Sequence, residues 1–308
     1  MESPPSQPSP VPVLLSIGDL SAATGISVDA LRVWERRYGR PQAQRLPSGH
    51  RRYAEADATW LRAVHELAAY GFRPGDLLLL KTADLLRLAE AERSRRISGS
   101  QAADLLEQFR QGGARVLRKS LRVAVEDLGP RVAVGRLISH LISLVGTEWA
   151  AGRLDIGQEH AITEVLQDIL RGLREDVQRS ALPRGAVDRI ALAGLSGERH
   201  GLGLLVVAVI FAQEGWDPVM LGVDLPAAEL AAAALEHACA AVGVSVSLGH
   251  GTPEHTHQIA DLRARLPVGM PLLVGGLGAR AAVRGVEGVE LMIDLEDLEA
   301  WARQRRVA

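Results

Sequence analysis

The constellation with the clearest chemistry in this 308-residue chain is Glu198-Arg199-His200-Gly201-Leu202-Gly203. A neutral imidazole is a good ligand for a transition metal. Its second nitrogen needs a hydrogen-bond partner that fixes the tautomer. Glu198 can be that partner, provided its side chain folds back. From Gly203, 41 residues intervene before Ser245-Val246-Ser247, and another 27 before Gly275-Gly276. Glycines at 203, 275 and 276 let a bulky group approach the backbone closely.

Two further sets stand out. Seven arginines lie between positions 32 and 52: Arg32, Arg36, Arg37, Arg40, Arg45, Arg51 and Arg52. Only Glu35 opposes them, and Trp34 and Tyr38 are interleaved. Such a stretch can lay guanidinium groups along phosphates, or it can be a solvated basic face. Trp34 and Tyr38 fit packing roles as well as they fit a nucleic-acid face. In the third set, Trp149 is followed after nine residues by Glu159-His160.

The elements that must position these residues follow from local signals. Residues 1–13 are rich in Pro and Ser and read as a flexible arm. Ser16 opens a helix with Asp19 as its capping-box partner, and Ser27 caps a second helix after Thr24-Gly25. Pro47-Ser48-Gly49 marks a tight turn in a short basic loop spanning Arg45 to Tyr53. A helix from about Glu55 to Tyr70 closes this unit, residues 14–92. Arg93 to Ser100 is polar, contains Gly99 and is predicted to be a linker. Residues 101–182 carry apolar positions at three- and four-residue spacing, as in Val134, Leu137, Leu141, Leu144 and Val145. Breaks fall at Gly112-Gly113, Gly129-Pro130 and Gly152, which predicts a four-helix bundle. Asp155 reads as the next N-cap, with Gln158 as its partner, so Glu159 and His160 fall in the first turns of a helix.

From 187 to 308 the texture changes. Short apolar runs (Ile190 to Leu195, Val219 to Val223, Ala241 to Ser247, Pro271 to Val274, Val289 to Ile293) alternate with helical stretches. This predicts parallel βαβ units in a doubly wound sheet, with ligands outside the carboxyl ends of the strands. The fold class is therefore multidomain, α followed by α/β.

Composition bounds the rest. The chain is 47% hydrophobic and 23% charged, with a formal net charge of −2, so any basic patch is local. The single cysteine, Cys239, excludes a disulfide framework or a Cys-rich zinc site. It is expected to be a buried small hydrophobe in an Ala-rich helical run. His250, His255 and His257 cluster after the third strand, where a solvated loop is expected rather than a metal site. No apolar run is long enough to span a bilayer and no secretion signal opens the sequence, so a cytoplasmic protein is expected.

The motifs resemble known families. Ser16-Ile17-Gly18-Asp19-Leu20, Thr24-Gly25-Ile26-Ser27, the run Leu31 to Gly39 and Gly49-His50-Arg51-Arg52-Tyr53 resemble the MerR family. There this stretch is a winged helix-turn-helix. The resemblance assigns Arg32, Trp34, Arg36 and Arg37 to the recognition helix, and Arg51 and Arg52 to the wing. The first constellation, with Ser245-Val246-Ser247 and Gly275-Gly276, resembles the cobalamin-binding signature Asp-x-His-x-x-Gly, Ser-x-Leu, Gly-Gly of a flavodoxin-like (Rossmann-like) domain, with Glu198 in place of Asp and Ser247 in place of Leu. It implies that His200 is the cobalt ligand and that Glu198, Gly203, Ser245, Ser247, Gly275 and Gly276 bind the cofactor. Trp149, Glu159 and His160 resemble the Trp-x9-Glu-His element of the light-sensing cobalamin regulators, the CarH and LitR group. There they lie near the upper axial group of adenosylcobalamin, while a histidine directly after the Trp ligates cobalt after light. Here that position is Ala150.

The resemblance implies a repressor rather than an enzyme. It would bind operator DNA as a homo-oligomer, a dimer or tetramer, controlled by adenosylcobalamin and light. A methyl-carrying corrinoid protein, or a regulator of this fold sensing another tetrapyrrole, is the alternative.

Overall fold

The structure is a computed structural model describing residues 14–181, 187–247 and 253–305. The arm expected over 1–13 and His250 lie outside the described residues. The chain divides into two compact units, Met1–Ile97 and Ser98–Ala308.

In the first unit, Ser16 caps α1 (Ile17–Thr24) through a complete capping box. Its Oγ accepts from the Asp19 amide at 3.1 Å, while the Asp19 carboxylate accepts from the Ser16 amide at 3.2 Å. Ser27 caps α2 (Val28–Tyr38) by accepting from the Ala30 amide at 3.2 Å. Both helices end on left-handed glycines, Gly25 and Gly39. The strands β1 (Leu14–Leu15), β2 (Gln44–Arg45) and β3 (Arg51–Ala54) pair antiparallel in the order β1-β3-β2, with Arg45 opposite Arg51. The helices α3 (Glu55–Ala69) and α4 (Pro74–Leu77) follow, and then α5 (Thr82–Leu128) begins. Leu20, Leu31, Tyr53, Leu61, Leu67 and Leu85 are fully buried together. Each Leu so placed contributes roughly 1.5–3 kcal/mol. Beyond α3, this core also draws on Leu77, Leu85 and Ala89.

The linker expected over Arg93 to Ser100 is instead helix inside α5. The polarity there is that of an exposed helix face: Arg93 pairs with Glu90, and Arg95 with Glu92, at i,i+3 spacing. One glycine without a proline does not break such a run.

In the second unit, Gly113 (φ +67°, ψ −166°) interrupts α5, and Ser120 Oγ donates to Gln108 Oε1 at 2.5 Å across the break. Gly129, also at positive φ, precedes α6 (Pro130–Val132). A π-helical turn (Ala133–Ile138) runs directly into α7 (Ser139–Ala150). Gly152, at positive φ, follows α7. Asp155 and Gln158 then cap each other's amides at 2.8 and 3.0 Å and open α8 (Ile156–Ala181).

The α/β part runs β4 (Arg189–Leu195), α9 (Leu202–Gln213), β5 (Asp217–Leu225), α10 (Ala227–Glu236), β6 (Ala241–Ser245), α11 (Pro253–Arg265), β7 (Leu272–Gly275), α12 (Ala279–Ala282), β8 (Glu290–Leu291) and α13 (Leu295–Gln304). All five strands are parallel, in the order β5-β4-β6-β7-β8. β4 is buried on both faces, which explains its unbroken apolar run: Ile190 and Leu192 enter one core, and Ala191, Ala193 and Leu195 the other. The chain order reverses between β4 and β6, a topological switch point at which doubly wound sheets bind ligands.

Two side-chain expectations are corrected. Cys239 is buried as expected, but it follows α10 rather than lying in it. Burial raises its thiol pKa. His255 and His257 sit in the first turns of α11, not in a solvated loop, and His255 is buried. Among the described residues, no cluster of three or more metal-ligating side chains occurs, and no helix is long and apolar enough to cross a membrane.

Candidate functional site

Glu198, His200 and Gly203 follow the carboxyl end of β4, and Ser245 and Ser247 lie at and beyond the end of β6. The switch point therefore brings together residues 49 apart in sequence. Glu198 Oε1 lies 2.7 Å from His200 Nδ1 and accepts from the His200 amide at 2.8 Å, while Oε2 accepts from the Ser247 amide at 2.7 Å. Ser247 Oγ stands 3.1 Å from His200 Nδ1. The Glu198 side chain is only 1% exposed, whereas that of His200 is 68% exposed.

Burial by itself would raise the Glu198 pKa. The amide and side-chain hydrogen bonds from Ser247 and His200 outweigh it and hold the carboxyl at about 2. A buried carboxylate thus grips one nitrogen of an outward-facing imidazole.

The fold-back of Glu198 has a structural cause. A Cβ on Gly194 in β4 would stand 2.9 Å from Glu198 Cγ, so glycine leaves the room that the longer side chain uses. Asp224, at the end of β5, fastens the same loop. It has positive φ (58°), its Oδ1 accepts from the Gly197 amide at 2.7 Å, and its own amide donates to the Glu198 carbonyl at 2.9 Å. Asp224 lies outside every motif block; sequence spacing gives no sign of its role.

Beside this loop a cavity of about 450 Å³ runs under α9, over Leu192, Gly243 and Leu273 of the sheet. Gly203, Ser245, Gly275 and Gly276 line it together with apolar side chains. Backbone packs closely at its edge: a Cβ on Gly276 would meet the Val246 carbonyl at 2.4 Å, and one on the nearby Gly278 the Ser247 carbonyl at 2.3 Å. Ser139 and Ile142 of α7 complete the wall.

Trp149, near the end of α7, is 52% exposed. Glu159 and His160 lie on the first turns of α8. His160 Nδ1 stands 2.6 Å from Glu159 Oε2, and Thr163 Oγ1 donates to Glu159 Oε1 at 2.8 Å. The short loop between α7 and α8 brings the three to one end of the helix pair.

The arginine stretch separates into different roles. Arg32, Arg36 and Arg37 are exposed on α2, and Arg51 is exposed on β3 beside the partly exposed Arg52. Trp34 and Tyr38 are half-buried against the core of the first unit. Glu35 ties α2 to β3: Tyr53 Oη donates to it at 3.2 Å, and an Arg51 guanidinium nitrogen lies 3.6 Å away. Arg40 is structural. It donates to the Leu80 carbonyl at 3.0 Å and to Thr82 Oγ1 at 2.9 Å, and it stacks 4.3 Å over the Trp60 ring.

Residues 16–53 match the MerR family regulatory protein family and residues 189–295 the B12 binding domain. The chain is 29% identical over 265 residues to the HTH-type transcriptional repressor CarH of Myxococcus xanthus, covering 83% of this chain and 87% of that one. It is 30% identical over 300 residues to the HTH-type transcriptional repressor CarA of the same organism, covering 96% and 98%. The structure of the Methanosarcina barkeri monomethylamine corrinoid protein matches 67% of this chain and 96% of its own, at 16% identity and a TM-score of 0.47. With identity of this extent over nearly the whole of both chains, and MerR and B12-binding segments in that order, the chain belongs to the family of the HTH-type transcriptional repressors CarA and CarH.

Proposed function

We propose that this chain is a light-responsive transcriptional repressor, not an enzyme, which binds operator DNA as a homo-oligomer whose assembly is set by adenosylcobalamin. The observation that carries the reading is the Glu198–His200–Ser247 arrangement at the switch point, beside a deep apolar cavity with glycines at its entrance. These residues fit a cobalamin: an exposed imidazole for the metal, and a slot for the nucleotide tail. When bound, adenosylcobalamin supplies a cobalt–carbon bond that visible light breaks.

The chain's own residues do the rest. Glu198 fixes the orientation of the His200 imidazole, the residue that would hold the cobalt. Gly203, Gly275 and Gly276 leave room for the tail, with Ser245 and Ser247 beside it. Trp149, Glu159 and His160, at one end of a helical bundle spanning about 101–182, would cover a bound corrinoid. Arg32, Arg36, Arg37 and Trp34 serve a recognition helix, and Arg51 and Arg52 a basic wing in a domain spanning about 14–92. The cofactor acts by linkage: it stabilises one assembly, and that assembly binds DNA better.

The test is the purified full-length chain titrated with adenosylcobalamin in the dark, then illuminated, with absorption spectra, sedimentation and operator retention recorded in parallel. A corrin spectrum that changes on illumination, with a shift in assembly and DNA affinity, is expected. A chain that takes up methylcobalamin and passes the methyl group to a thiol acceptor, with no response of DNA binding, would establish the methyl-carrier reading instead.

A further inference from the structure

The cavity beside the motif loop is apolar except at its rim. Among the described residues lining it, only Arg280 and Asp294 are charged. Asp294 is committed to its own helix: its Oδ1 accepts from the Asp297 amide at 2.8 Å and caps α13. Arg280 is different. It is exposed on α12, just beyond the Gly275-Gly276 turn, and forms no hydrogen bond or ion pair with any described residue. A lone guanidinium at the mouth of an apolar slot suits a ligand with two parts: a flat apolar group that enters and an anion that stays outside. Guanidinium binds phosphate oxygens in charge-assisted, often bidentate, pairs.

We infer that Arg280 binds the phosphodiester of a nucleotide-tailed corrinoid, and so makes the chain select complete cobalamins over corrinoids that lack the tail. This rests on the cobalamin reading above and adds to it a residue outside every motif block. Arg280 is a specificity residue here: it holds the tail in its slot and does not touch the metal.

The experiment compares adenosylcobalamin with adenosylcobinamide, which has the same ring and upper group but no nucleotide tail. Both are titrated in the dark into the full chain and into Arg280→Ala, Arg280→Lys and Arg280→Glu. Binding is read from the corrin absorption bands at two ionic strengths. Arg280→Ala is expected to weaken adenosylcobalamin about tenfold, the scale of one charge-assisted hydrogen bond, while leaving adenosylcobinamide unchanged. Arg280→Lys should recover part of the loss, and Arg280→Glu should deepen it for the tailed ligand alone. Salt should weaken the tailed ligand more than the tail-less one in the native chain, and this difference should vanish in Arg280→Ala. Equal effects on both ligands, or none on either, would overturn the assignment while the cobalamin reading stands. If the native chain binds neither corrinoid, both fall together.

Discussion

Gly194 and Glu198 share one space: the position a Cβ on Gly194 would take lies 2.9 Å from Glu198 Cγ and 3.2 Å from its Cβ. Gly194→Ala is therefore expected to push the carboxylate off His200 and Ser247, at a cost of about 1–3 kcal/mol in stability. Corrinoid affinity should fall with it. Adding Glu198→Ala, which removes the Cγ that the new methyl would meet, should relieve the strain part of the stability cost. Urea unfolding and a corrinoid titration of the two single variants and the double variant give the coupling. Purely additive effects would mean that the two positions do not constrain each other.

His200→Ala is expected to weaken adenosylcobalamin binding and to shift the corrin spectrum to that of a form lacking a protein ligand below the ring. The absorption spectrum of the loaded variant checks this. An unchanged spectrum and affinity would remove His200 from the metal.

Arg51 and Arg52 should behave unlike Arg40, although all three belong to one basic stretch. Replacing Arg51 and Arg52 by Ala is expected to weaken binding to every DNA sequence and to reduce the salt slope by about 2, one per lost phosphate contact. Arg40→Ala should leave that slope alone and lower the melting temperature, because it severs contacts to Leu80, Thr82 and Trp60. Fluorescence anisotropy across a salt series, beside thermal melts, separates the two behaviours.

Ala150 follows Trp149 at the exposed end of α7, where its side chain offers no ligand atom. The illuminated protein is expected to lack the spectrum of a bis-histidine corrin, and Ala150→His to acquire it together with a more persistent lit state. An identical photoproduct in both proteins would show that position 150 does not control the capture.

Glu148 predicts an acid-sensitive joint. Hydrogen bonds from Arg153 and then Arg110 lower its carboxyl from 4.5 to about 2. A depressed carboxylate stabilises the fold above its ordinary range and loses that contribution as pH falls toward its folded value. Stability should thus decline between pH 4.5 and about 2, and Glu148→Gln should flatten that part of the curve in denaturation midpoints measured against pH.

What could be read from the sequence was whatever depends on neighbours along the chain. Ser16-Asp19 and Asp155-Gln158 are local hydrogen-bond pairs, so the helix starts were legible. The apolar runs gave the strands most plainly at β4 and β6, because a strand buried on both faces leaves no room for polar alternation. The spacing of Glu198, Ser245 and Gly275 reflects three successive strand ends, so the residues that meet there were legible too. Three things were not. Arg93 to Ser100 looks like a linker because an exposed helix face and a linker share a polar composition; i,i+3 pairs such as Arg93–Glu90 decide between them. Gly194 and Asp224 act through contacts fixed only once β5 lies beside β4. The separation of Arg40 from the other arginines depends on Trp60 and Leu80, which fold back onto it from later helices.

The similarity to the B12 binding domain ends at residue 295, but the pocket does not. Leu295 and Leu298 of α13 line the cavity, Trp301 packs edge-on to Phe211, and Trp216 Nε1 donates to the Ala302 carbonyl at 2.9 Å. Anyone transplanting the sensing half onto another output should therefore cut beyond Arg305. A graft trimmed to the matched stretch would keep Glu198, His200, Ser245, Ser247 and the Gly275-Gly276 pair but lose Leu298, leaving a vessel with one side missing and its apolar lining open to water.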